Sequence, residues 1–148
     1  VGLILLKATL PLDVAERYRE DFPDNALSPE IAFRELLKYL WVCEKLAEEK
    51  RQHPENRDLD FDIYIQSEMQ EIDDLWHTFL LFTREYQQFC QENFGRFVHH
   101  VPVTMDEKKN KDKEEFLLET QKALEYVYDN LGEETLKIWY KEYFTDEA

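Results

Sequence analysis

Between Ile31 and Phe94 apolar side chains return every three or four residues, and that spacing dictates helices. Ile31, Phe33, Leu36, Leu37, Leu40, Trp41, Cys43 and Leu46 form one series. Ile72, Leu75, Trp76, Phe79, Leu80, Phe82, Tyr86, Phe89, Cys90 and Phe94 form a second. An α-helix turns once per 3.6 residues, so each series lines one stripe that must be buried. Three glycines and five prolines in 148 residues argue against a turn-rich all-β protein and against disorder. The expected architecture is all-α: one domain over residues 1–148, a bundle of about five helices.

Helix ends are marked by short polar signals. A first helix is expected over Pro11–Asp21, with Leu12, Ala15 and Tyr18 or Arg19 on one face, and Phe22-Pro23 ends it because the residue before proline is pushed out of helical geometry. Ser28 and Pro29 read as N-cap and first helical residue of a helix running to about Lys50. The alternation from Leu59 to Ile65 suits a strand, but a lone strand has no partner, so 53–66 reads as an extended connection lying on the helices. Ser67 to Gln70 reads as a capping box, and Thr83 either opens a new helix or sits inside one. Gly95 suits a left-handed helix end. A second capping box is expected at Thr104 to Glu107, followed by a charged lead-in from Lys108 to Glu115. Phe116, Leu117, Thr120, Ala123, Leu124, Val127, Tyr128 and Leu131 then give a helix closed by Gly132. Leu136, Trp139, Tyr140, Tyr143 and Phe144 give a short last one.

The charge narrows the partners. Thirty-three acidic against 18 basic residues leave −15, a surface that repels nucleic-acid phosphates and anionic membranes. The apolar run Leu3 to Leu6 is too short for a signal core or a membrane span. Cys43 and Cys90 sit among apolar neighbours and read as buried thiols of a cytoplasmic protein. The first residue is Val1, consistent with a trimmed natural N-terminus. The aromatic last helix either docks on the bundle or seeks a protein partner or a second copy, with docking the default.

One segment concentrates rare residues. Ile72 to Pro102 holds three of the four histidines and one of the two cysteines. Once the helical stripe is assigned to the core, a small polar set is left: Asp73, Asp74, His77, His99 and His100. Asp73 and His77 are four apart and share a helix face, and Asp74 is three before His77. A returning segment after Gly95 can carry His99 or His100 back to His77. Imidazoles with a carboxylate suit a divalent metal such as zinc or iron. Against this stands the plainer reading, in which the histidines make structural hydrogen bonds. No metalloprotease motif, paired CxxC, phosphate loop or nucleophile elbow is present, so no catalytic residue is assigned.

The order D-x-x-W-H-T from Asp73 to Thr78, then T-R-E-Y, F-C, F-G-R-F and H-H-x-P, resembles the glycine-rich domain-containing protein-like family, over about residues 67–102. The resemblance implies a helical fold, and it makes the polar set a family signature. It implies no activity, and the chain lacks the glycine-rich tail of that family's plant members. The resulting expectation is a non-catalytic binding or interaction module. Its alternative is a metal-binding protein or metal-dependent enzyme built on Asp73 or Asp74, His77, and His99 or His100.

Overall fold

The computed structural model describes residues 7–101 and 112–144. The fold is all-α, with six α-helices and no strand among the described residues. They are α1 (Leu12–Asp21), α2 (Pro29–Gln52), α3 (Gln70–Leu81), α4 (Thr83–Phe94), α5 (Lys113–Leu131) and α6 (Glu133–Trp139), with short 3-10 turns at Arg57–Leu59, Ser67–Met69 and Lys141–Phe144. By mutual contacts the chain divides into two compact units, Val1–Trp41 with Ile65–Val98, and Val42–Tyr64 with His99–Ala148.

The first unit is organised around Phe79, which is fully buried. Its ring meets Tyr86 at 5.1 Å, Phe89 at 5.2 Å and Phe33 at 6.2 Å between centroids. Burying a phenylalanine contributes roughly 2–3 kcal/mol, before the edge-to-face contacts are counted. These contacts also explain why six helices form where about five were expected. A continuous helix would hold Phe79 and Phe89 about 15 Å apart along its axis. The chain instead breaks at Phe82 (φ −96°, ψ 70°) and starts again at Thr83. No glycine or proline marks the break; pairing of the two aromatic stripes imposes it. Gly95 ends α4 at φ 72°, and its N–H bonds the Gln91 carbonyl, as its position in the sequence implies.

Several local expectations change. Ser28 caps α2 through the Ile31 N–H as read. Ser67 does not cap a helix: its hydroxyl donates to Glu68, residues 67–69 form a 3-10 turn, and α3 begins only at Gln70. Val14, not Leu12, joins Ala15 and Tyr18 in the core, and Ile31 is exposed while Ala32 and Val42 are buried. Both errors came from placing the buried stripe a fraction of a turn off. The expected box at Thr104–Glu107 lies outside the described residues. The charged run ends inside α5, where the Asp112 carboxylate caps the Glu115 N–H at 2.8 Å.

In the second unit Phe61 and Ile63 of the extended connection are buried, and the Phe61 ring meets Tyr126 of α5 at 5.6 Å. Lys50 fixes the connection by donating to the Phe61 carbonyl and to Asp62. Gly132 (φ 92°) joins α5 to α6, and Trp139 and Tyr140 are buried while Tyr143 stays 41% exposed.

Candidate metal centre

Helix α3 carries polar groups on two sides. On one side Asp74 is buried, and both its carboxylate oxygens are taken: Asn25 donates to one at 3.1 Å and Gln70 to the other at 3.0 Å. Asn25 also donates to the Tyr18 hydroxyl, which donates to the Leu27 carbonyl. Glu71, one turn earlier, accepts the backbone N–H groups of Ala26 and Leu27 at 3.1 and 2.7 Å. Two carboxylates thus fasten the α1–α2 loop to the start of α3. Burial pushes the Tyr18 phenol above its ordinary value, and the nearby Glu71 and Asp74 charges push the same way.

On the other side Asp73 faces His77 across one turn, with Oδ2 and Nε2 3.5 Å apart. The Asp73 side chain is 15% exposed and that of His77 53%, so the pair opens to solvent. Asp73 and Asp74 diverge because neighbours on a helix point about 100° apart.

The segment after α4 is held by buried groups of the same two helices. Trp76 Nε1 donates to the Tyr86 hydroxyl at 3.0 Å, and that hydroxyl donates to the Val98 carbonyl. The Val98 N–H points at Cys90 Sγ, 3.5 Å away. His99 follows exposed and His100 half-buried. Asp73, Asp74 and His77 belong to the first unit, and His99 and His100 begin the second. Tetrahedral zinc with bonds of 2.0–2.2 Å spaces its ligand atoms about 3.3 Å apart. The Asp73–His77 separation of 3.5 Å is near this.

A separate groove of about 390 Å³ lies in the first unit over Phe79 and Phe89, with Glu85 and Glu92 on its rim; none of the histidines lines it. The sequence reading did not find Glu71 or Asn25, because their role depends on a loop remote in sequence. It placed Tyr86 in the core without its hydroxyl bonds.

A family model matches residues 43–123, more than half of the chain and all of the Ile72–Pro102 run. The chain belongs to the UCP032817-like family. This corrects the likeness to the glycine-rich domain-containing family. The short motifs behind that likeness are largely Trp76, Tyr86, Cys90 and Phe94, residues that helix packing selects in any such hairpin, so they do not separate one helical family from another. The UCP032817-like family is itself uncharacterised and assigns no activity. No curated protein and no solved structure matches the chain.

Proposed function

We propose that this member of the UCP032817-like family is a helical binding module that takes a divalent transition-metal ion at the Asp73–His77 pair of α3. The observation that carries this reading is the approach of the Asp73 carboxylate to the His77 imidazole, 3.5 Å apart on one helix face. An imidazole and a carboxylate suit zinc or ferrous iron, with further positions left to water or an outside group. The exposure of His77 gives those positions access to solvent. Asp74 is left out of the ligand set because Asn25 and Gln70 occupy its oxygens.

The reading puts the protein in the cytoplasm, where the thiols of Cys43 and Cys90 stay reduced. No described helix is long and apolar enough to cross a membrane. The charge of −15 sets nucleic acid aside as a partner and favours cations. A protein partner or a second copy would meet residues such as Tyr143, which α6 and its following turn leave exposed.

The test is metal content and affinity. Gently purified protein should carry close to one equivalent of zinc or iron, and stripped protein should rebind zinc. His77→Ala and Asp73→Ala should each abolish tight binding, whereas Asp74→Asn should not. Absence of stoichiometric metal, together with zinc affinity indifferent to Asp73 and His77, would sink the proposal.

A further inference from the structure

We infer that the Asp73–His77 pair is one half of a zinc site whose other half is the same pair on a second copy of this chain, so that the ion joins two copies through the outer face of α3. The inference rests on the metal-binding reading above.

The first unit offers the ion little else. His77 is its one histidine. Its cysteine, Cys90, is buried with Sγ against the Val98 N–H. Glu71 and Asp74 are engaged by two backbone N–H groups, Asn25 and Gln70. Among the described residues, no three ligand side chains of this unit converge. Zinc in a closed protein site takes four.

The geometry of the pair suits sharing. His77 Nε2 and Asp73 Oδ2 stand 3.5 Å apart, near one edge of a zinc tetrahedron. A two-fold axis through the ion sets the same pair of a second copy on the opposite edge. Such contacts use one patch twice and are the commonest kind between identical chains. Charge balances at the ion as well: two carboxylates cancel its double charge, and the imidazoles bind neutral. Without the ion, two chains of −15 repel each other, so the contact waits for metal. Leu81 lies one turn beyond His77 on α3 and is 63% exposed. The copy that brings the second pair also takes this side chain out of water, which favours the contact.

The experiment is light scattering and sedimentation of the full chain at several concentrations and zinc-to-chain ratios, with wild type, His77→Ala and Leu81→Glu compared. Wild type should be monomeric in chelator. Association should peak at one zinc per two chains and fall again as excess zinc gives each chain an ion of its own. Cobalt(II) at the same ratio should show the strong visible bands of a four-coordinate ion. His77→Ala should stay monomeric throughout. Leu81→Glu keeps both ligands, so single chains should still take zinc, while like charges at the contact weaken the dimer about tenfold or more. If wild type binds zinc but stays monomeric at every ratio, the inference is overturned and the metal reading stands. A dimer that persists in chelator, as one formed through Tyr143 would, overturns it too. So does a zinc dimer that forms equally well with His77→Ala or Leu81→Glu. If wild type takes no zinc, the metal reading falls and this inference with it.

Discussion

The two sides of α3 use the same residue types to different ends. On the Glu71/Asp74 side every carboxylate oxygen named above meets a donor fixed by the chain: two backbone N–H groups, Asn25 and Gln70. On the Asp73/His77 side a carboxylate meets a half-exposed imidazole. A carboxylate surrounded by neutral donors that cannot move is a fastener. A carboxylate beside a half-exposed imidazole is the pair to which we assign a cation. The lesson is that exposure of the partner, rather than the acidic residue itself, separates the structural side from the proposed ligand side.

The contrast is broken most directly at Asp74. Asp74→Ala leaves the Asn25 and Gln70 amides without their charged acceptor in a buried place, at a cost of about 3 kcal/mol. Urea unfolding should show that loss, with the zinc affinity of the folded protein unchanged. A cost below about 1 kcal/mol would remove the fastener role.

Alkaline pH probes the same side more gently. Burial raises the Tyr18 phenol above 10.0 in the folded state, so the fold favours its neutral form. Its contribution is complete below pH 10 and is lost as pH climbs through the higher folded value. Burial pushes the Tyr140 phenol up as well, which adds to the loss in the same direction. The urea midpoint should therefore hold between pH 8 and 9 and fall above about 10. Tyr18→Phe should flatten part of that fall. A midpoint rising with alkali would contradict the burial argument.

The smallest expected effect on stability is on the open side. His77→Ala removes one exposed pair and should change the unfolding free energy by less than about 0.5 kcal/mol. A cost of several kcal/mol would make His77 a structural residue and erase the distinction between the two sides.

Much of the local structure was legible in the chain. Ser28-Pro29 marked the start of α2, Gly95 the end of α4, and period 3.6 the all-α class. The spacing of Asp73 and His77 put them on one face, as found. What misled was the phase of a stripe, as with Leu12 and Ile31, and the capping signal at Ser67, because a cap forms only where tertiary contacts let the helix begin.

The sequence by itself determined helices, because backbone geometry repeats every few residues and apolar spacing reports it locally. Only the tertiary structure decided that α3 and α4 are two helices and that Asp74 belongs to the loop at Asn25. The same holds for the path of the chain after Gly95, tied at Val98 by Tyr86 and Cys90. Each of those outcomes depends on groups eight or more residues apart meeting in space. Energies of that kind come from packing and from buried hydrogen bonds, and no local pattern in a single chain encodes them.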